Sequence, residues 1–234
     1  MKNILFAILF SGITFHAKSQ NINFELNAGY GFYSLNDIKN FQKSLLDAMN
    51  LPNLKAVETF PNNIFYSASV NYMVTPRISV GIGFASATTG GRNHLADYSG
   101  EYKLDMILKG YTTGLKFQYA LFMDNKFGLW LQLEGGASES LLRIDETIIV
   151  YEEEIVNENM KLEGAGIFVE PSLKITRNVF DRLNVHFCAG YNYTFKNDMK
   201  LHSEKTDIEA NWSGVRLLLG MDYTLNFKKN TQSQ

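Results

Sequence analysis

Eight segments of the chain alternate apolar and polar residues with a period of two, which is the pattern of β-strands that have two different faces. The alternation begins near residues 22, 66, 78, 114, 127, 165, 183 and 215. Bacterial barrels that span a membrane have an even number of antiparallel strands. The sequence therefore predicts an all-β fold, an eight-stranded antiparallel up-and-down barrel.

Three features indicate that the apolar face points outward, toward lipid. The alternation over 22–32, 183–195 and 215–227 is longer than the five or six residues usual in soluble sheets and matches the nine to eleven of a spanning strand. The other face consists mainly of Gly, Ser, Ala and Asn, which suit a narrow barrel interior. Aromatic residues also lie at both strand ends, as interface girdles do: Tyr30, Phe32, Tyr66, Tyr191, Tyr193 and Phe195 at one, Phe127, Tyr223 and Phe227 at the other. A soluble barrel with its apolar face inward is the alternative.

The connections between the segments are unequal in length. Residues 75–77, 124–126 and 177–182 are short turns, whereas 34–63, 88–101, 151–157 and 197–213 are mostly longer links. Short turns at one rim and long loops outside the cell are typical of outer-membrane barrels, which places both termini in the periplasm. In the first link, apolar residues at helical spacing follow Asn36 and Asp37. They predict a short amphipathic helix packed on the barrel rim, with a helix on the membrane surface as the alternative.

The two ends of the chain are expected to lie outside the barrel. Residues 1–19 combine Lys2, an apolar stretch and Ala17-Lys18-Ser19, which predicts a secretory signal peptide rather than the buried first helix of a cytosolic protein. Residues 20–227 then form the barrel and 228–234 a tail. Removing Lys2 and Lys18 changes the formal charge from −2 to −4. This balance provides no basic stripe for nucleic acid, and a single cysteine, Cys188, forms no intramolecular disulfide.

The pattern resembles the small outer-membrane β-barrel family typified by the OmpA transmembrane domain, OmpX and OmpW. The resemblance covers nearly all of the mature chain. Its most specific element is the last strand, which is similar to the aromatic-ended signal read by the barrel-assembly machinery and contains Val215, Leu217, Leu219, Met221, Tyr223, Leu225 and Phe227. Seven further residues follow, whereas many family members stop at the aromatic residue. The resemblance implies a bacterial outer-membrane location, with lipid and the assembly machinery as partners.

The inward faces carry a set of charges that is predicted to form a network in the lumen. Its members are Glu25, Glu134, Glu170, Asp222, Lys116, Lys174 and Arg216. Charges in a narrow barrel are costly unless they are paired. A three-residue turn at 124–126 places Lys116 directly opposite Glu134, which predicts a contact between them. The favoured interpretation is a structural plug, and the alternative is a gated polar path.

One segment is too long for a membrane. The strand that begins at Phe127 continues to Val150 and would rise about 55 Å, whereas a hydrocarbon layer is about 25–30 Å thick. The apolar phase slips near Gly110, Gly135-Gly136 and Gly164, where β-bulges are predicted. The family resemblance implies a sheet above the membrane. Its edge could accept a strand of an extracellular protein, or the extension could be solvated without a partner. Residues 152–154 are interpreted as a charged cap against aggregation.

The sequence predicts no enzyme, cofactor or metal site, because it contains neither a serine-elbow motif nor metal-ligand spacing. The residues from which a surface hydrolase could be assembled are His94, Asp97, Ser99, His202, Ser203 and Asp207. The predicted function is a structural or surface-binding role through the outer loops and the protruding sheet. The alternatives are a narrow conduit for small solutes and an accessory barrel of a secretion complex.

Overall fold

The computed structural model describes residues 20–48, 60–98, 100–151, 153–201 and 204–227. The predicted signal peptide and C-terminal tail lie outside these residues. The elements in chain order are β1 (Gln20–Tyr33), α1 (Asn36–Ala48), β2 (Asn63–Thr75), β3 (Ile78–Asp97), β4 (Gly100–Met123), β5 (Phe127–Val150), β6 (Glu153–Phe180), β7 (Leu183–Phe195), β8 (Asp198–Leu201), β9 (Glu204–Glu209) and β10 (Gly214–Phe227).

Eight of these strands close into a ring, which confirms the predicted antiparallel barrel. β1 to β7 pair in sequence order, and β10 joins β7 to β1. The register of the closing pair places Tyr30 opposite Leu217. The hairpin of β8 and β9 was not predicted. β6 has 28 residues and β7 only 13, so β8 continues the pairing with β6 above the end of β7, with Leu162 opposite Leu201. Strands of 4 and 6 residues are too short to show a clear alternation.

A belt of exposed apolar side chains surrounds the lower part of the ring. Leu26, Ile82, Leu115 and Leu219 are 60–73% exposed, although the polar residues between them point inward. A soluble protein does not expose a continuous apolar surface of this size. In hydrocarbon, however, a closed barrel satisfies all of its backbone groups and presents apolar side chains to lipid. The soluble alternative, with the apolar face inward, is therefore wrong.

Aromatic side chains mark the end of the belt away from the short turns, here called the outer end. Tyr30 and Phe32 pack edge to face, with ring centroids 5.1 Å apart. Tyr191 and Tyr193 lie 4.4 Å apart on β7. Amphipathic rings of this kind are stable where hydrocarbon meets water. Both pairs belong to the predicted outer girdle.

The predicted bulges at Gly110, Gly135-Gly136 and Gly164 are wrong. Gly110 is paired without interruption to Ala87 on one side and Ser140 on the other, and the pairing also continues unbroken through Gly135 and Gly164. The same face of β4 points inward from Tyr102 to Ala120, with polar residues nearer the turns and apolar residues near the outer end. The strand geometry does not change at the apparent slip. The medium outside the barrel changes from lipid to water there.

Above this boundary the barrel wall encloses an apolar core. Its inward side chains include Leu104, Met106, Leu108, Leu142, Ile144 and Leu162, each at most 4% exposed. The helix α1, which was predicted in the first outer link, contributes Ile38 and Leu46 to this core. Both side chains are buried, so the helix packs into the outer end of the barrel and does not lie on the membrane surface. Among the described residues no helix is long and apolar enough to cross a membrane.

The upper parts of β3 to β6 form a protruding sheet, defined here as residues 88–97, 100–109, 141–150 and 153–163. Two of the predicted outer loops, 88–101 and 151–157, belong mainly to these strands and not to irregular structure. Ten residues of β4 above the belt rise about 23 Å if they are tilted like the rest of the barrel. Because they carry their own core, these hairpins are a rigid extension of the wall.

Two matched substitutions on the outer face of β4 test the position of the boundary. Leu115 and Ile107 are both exposed and point outward, but only Leu115 lies in the belt. Leu115→Lys should destabilise the folded state by about 2 kcal/mol or more, because a cation would face hydrocarbon. Ile107→Lys should cost less than about 1 kcal/mol. Urea unfolding in lipid vesicles measures both, and equal costs would refute the assigned boundary.

Candidate functional site

The lumen contains a buried carboxylate that binds two lysines. Glu25 on β1 is 1% exposed. Lys116 on β4 and Lys174 on β6 each place Nζ 2.6 Å from one of its oxygens. Gln118 donates a hydrogen bond of 2.8 Å to the same carboxylate, and Ser69 donates one of 3.1 Å. One side chain on β1 therefore binds residues of three other strands, β2, β4 and β6.

A second carboxylate lies next to this cluster. Oδ2 of Asp222 is 3.5 Å from Nζ of Lys174. The other carboxylate oxygen of Asp222, Oδ1, lies 2.8 Å from Nδ1 of His186. The angles at this contact do not meet those of a hydrogen bond. Nε2 of the same imidazole contacts Asn27. The ammonium of Lys174 thus lies between two carboxylates, and the ring of Trp130 is 6.0 Å from it.

Closer to the outer end, Arg216 fills the lumen between aromatic rings. Its Nη1 donates to Glu170 at 2.8 Å. The guanidinium carbon lies 4.9 Å from the ring centre of Phe65 and 5.7 Å from that of Tyr33. A cation over aromatic faces is stabilised electrostatically, and more so when it is desolvated. Arg216 and the two rings form a plug beneath the apolar core.

The structure has the predicted register of Glu134 opposite Lys116, but these two side chains form no ion pair. They are directly opposite although the pairing next to the turn is shifted by one residue, because an irregularity between Ala120 and Phe122 restores the register. The ammonium of Lys116 nevertheless binds Glu25 across the lumen, and no ion pair joins it to Glu134. The side chain of Glu134 lies over Gly83, where a β-carbon would collide with the carboxylate. Register rules describe neighbours on one sheet face, but a narrow ring also brings distant strands within reach of a long side chain.

A cavity of about 30 Å³ separates the two clusters, bordered by Lys116, Glu134, Glu170 and Arg216. One water needs about 10–15 Å³ by this measure, so the cavity holds two or three waters at most. Above it lies the apolar core. The seven predicted lumenal residues all point into the lumen, and the part of it between Glu25 and Arg216 is filled.

The outward face of the protruding sheet is polar and carries ion pairs. Arg92 holds Asp105 through two nitrogens, the second at 2.9 Å, and Lys103 lies 3.3 Å from the same carboxylate. His94, one of the residues considered for a hydrolase, pairs with Glu101 at 2.9 Å. Residues 99, 202 and 203 of that set lie outside the described residues. In the part of the chain that the structure describes, no group of His, Cys, Asp or Glu is arranged to hold a metal ion.

The sheet has an edge at the upper part of β3. Phe60 donates its backbone N–H to the carbonyl of Gly90, which shows that this carbonyl points away from β4. Backbone direction alternates along a strand, so Arg92, His94 and Ala96 direct their N–H and C=O groups the same way. Within the described residues no strand pairs with this edge beyond β2, whose pairing with β3 ends at Ala87.

Comparison with known proteins identifies the architecture. No family model and no curated protein matches the chain. Among solved structures, a major outer membrane protein from Thermus thermophilus superposes with a TM-score of 0.50 at 12% identity, over 87% of this chain and 99% of that one. The chain has the fold of the small outer-membrane β-barrels.

Two further outer-membrane barrels are similar to this chain at lower scores. The attachment invasion locus protein Ail of Yersinia pestis, in complex with the heparin analogue sucrose octasulfate, gives a TM-score of 0.44 at 10% identity, over 89% of this chain and 99% of that one. OprG from Pseudomonas aeruginosa gives 0.43 at 12% identity, over 90% and 97%. Identities this low leave the role of this chain open.

The predicted assembly strand is the closing strand of the outer-membrane barrel. β10 pairs with β7 on one side and with β1 on the other, where Tyr223 lies opposite Phe24. Val215, Leu219, Met221 and Tyr223 point outward and are exposed. Recognition of this strand by an assembly machinery stays a prediction.

Removal of the central carboxylate should be costly. Glu25→Ala leaves the ammonium groups of Lys116 and Lys174 without their shared partner, and breaking a buried ion pair costs about 3–5 kcal/mol. Glu134→Ala, which breaks no ion pair, serves as the control and should cost less than about 2 kcal/mol. Urea unfolding in detergent micelles measures both. Similar losses for the two variants would mean that Glu25 does not organise the lumen.

The protruding sheet should respond to pH through Glu146. Burial raises the pKa of this carboxyl, and Glu158, opposite it in the register, raises it further. A folded-state pKa above the unfolded value means that the sheet is more stable with the group protonated, and that this stability is lost as pH rises through the interval between the two values. Glu146→Gln should therefore protect amides of β4 and β5 against hydrogen exchange at pH 7 and have little effect near pH 4. Equal protection at both pH values would exclude the assignment.

Proposed function

We propose that the protein is a closed barrel of the bacterial outer membrane that holds a rigid sheet above the cell surface to bind an extracellular partner. The observation that carries the proposal is the continuation of β3 to β6 beyond the lipid belt around a buried core. A barrel that only anchored itself would need strands of about 9–11 residues, whereas β4 and β5 each have 24.

Strand addition at the upper edge of β3 is the binding mode that the geometry favours. Among the described residues nothing pairs with the backbone donors and acceptors that Arg92, His94 and Ala96 direct away from β4, and an extended segment of a partner can pair with such a row. The side chains of Arg92 and His94 are already held by Asp105 and Glu101. The edge is therefore presented in one conformation, which reduces the entropy lost on binding.

In this proposal the side chains of the lumen form a structural plug, and the protein is not an enzyme. Ion pairs around Glu25, the Arg216 plug and the apolar core above them leave little room for a solute. A narrow conduit and an accessory role in a secretion complex are both less favoured, because neither accounts for the core of the protruding sheet. Export by the signal peptide and insertion by the barrel-assembly machinery through β10 belong to the same proposal.

A substitution that changes only the edge tests the proposed function. His94→Pro removes the N–H that points away from β4 and leaves the pairing of β3 with β4 intact, because proline is tolerated at a sheet edge. His94→Ala is the matched control, since it removes the same imidazole and keeps the N–H. Mature protein in lipid nanodiscs is incubated with extracellular proteins and with surface extracts, and the captured species are compared.

We expect the specifically captured species to be retained by His94→Ala and reduced at least tenfold by His94→Pro. A variant in which Gly90 is joined to Ile107 and Arg143 to Lys161 by short turns lacks most of the protruding sheet and should capture none. Equal capture by wild type and this shortened variant would overturn the proposed function. Equal capture by the two His94 variants would overturn strand addition alone.

A further inference from the structure

The opposite end of the lumen, near the short turns, contains a cavity that neither the plug nor the protruding sheet uses. It has a volume of about 200 Å³ and lies beneath Lys174 and Asp222. The turn residues 124–126 form part of its wall, so it opens at the turn end, which faces the periplasm if the long links face the outside. We call it the turn-end vestibule.

Several polar atoms in the vestibule wall have no partner in the described part of the chain. Ser79 is 2% exposed, and its hydroxyl makes no hydrogen bond. Oδ1 of Asn23 is also buried without a partner. A buried polar group left unsatisfied costs about 1–3 kcal/mol, and such groups in native proteins normally bind water or a ligand. The two groups come from β1 and β3 and line the same space.

The rest of the wall is rich in hydrogen-bonding groups and contains an indole ring, and the turn adds one carboxylate, Asp124, and one ammonium, Lys126. Gln118, Thr176, Asn184 and Thr224 contribute amides and hydroxyls, and Trp130 contributes its indole. Lys174 and Asp222 form an ion pair at the inner end, and Asp124 and Lys126 add one charge of each sign, so the wall carries no net charge for an ionic ligand. Amides and hydroxyls that can both donate and accept match a ligand with many hydroxyls, and an aromatic ring packs against its C–H groups.

Size restricts the ligand further. A volume of about 200 Å³ is several times that of the cavity between the two charged clusters and lies below the 300–1,000 Å³ of ordinary small-molecule sites. One sugar ring is therefore the appropriate scale, either as a free monosaccharide or as the end of a longer glycan. A long apolar molecule or a folded peptide does not match this space.

We infer that the turn-end vestibule binds a single neutral sugar ring, which is hydrogen-bonded by Ser79 and Asn23 and packed against Trp130. This inference does not depend on the proposed surface-binding function, because the vestibule and the protruding sheet lie at opposite ends of the barrel. The site faces the compartment into which the short turns project.

Saturation-transfer NMR on the mature protein in nanodiscs tests this site. The probes are N-acetyl-D-glucosamine, its β-1,4-linked trimer, and glycerol as a hydroxyl-bearing molecule too small to bridge the wall. We expect saturable transfer to the sugars and none to glycerol. Tighter binding of the trimer would identify the end of a glycan chain as the source, and equal binding a free monosaccharide. Failure of both sugars to bind, with the vestibule holding water only, would overturn the inference.

Two serine variants separate the vestibule from the rest of the lumen. Ser79→Ala removes the unpartnered hydroxyl and should raise the dissociation constant for the sugar about tenfold, because its hydrogen bond is lost. Ser138→Ala is the matched control: its side chain is equally buried but borders a different cavity, and binding should not change. Resistance to urea confirms that both variants fold. Identical affinities for the two variants would exclude the vestibule as the site.

Discussion

The hydrogen-bonded closure of β1 onto β10 is the constraint on which the rest of the structure depends. In hydrocarbon an open sheet edge would leave backbone groups unsatisfied, so the ring must be complete. Eight strands then fix a narrow interior, and that width determines which side chains can occupy it. Small residues such as Gly83 make space for long ones such as Glu134. The charges that remain inside must compensate one another, as Glu25 does with two lysines.

The change of medium along each strand divides the molecule into two parts without a break in the sheet. Below the boundary the outward face of β4 is apolar and the interior is polar; above it the interior contains Leu104, Met106 and Leu108. The two interiors are held by different forces, since paired charges dominate one and the hydrophobic effect the other. The wall between them is continuous. The upper core is therefore supported by a base that is fixed in the membrane.

The alternating pattern was sufficient to predict the ring, the outward apolar face and the position of α1, because these depend on local periodicity and on the medium. The change of apolar phase at Gly110 was detected but wrongly attributed to a bulge. A bulge and a change of the surrounding medium both move the apolar residues to the other set of alternate positions. The inward positions of Glu25 and Lys116 were also predicted. Their ion pair was not, because β1 and β4 are not neighbours and no register rule relates them. The lack of a partner for the Ser79 hydroxyl could not be predicted either, because it too depends on which side chains meet across the lumen.

The ion pair between Glu25 and Lys174 joins residues separated by 149 positions in the chain. Its two charges cannot meet until β1 and β6 lie on the same closed ring, so it belongs to the last stage of folding. Contacts of such high sequence separation slow folding, because the entropy of loop closure precedes the stabilisation that they provide. Until that stage Lys174 remains hydrated, as does Lys116, which binds the same carboxylate. Loss of water from the lumen thus accompanies completion of the ring.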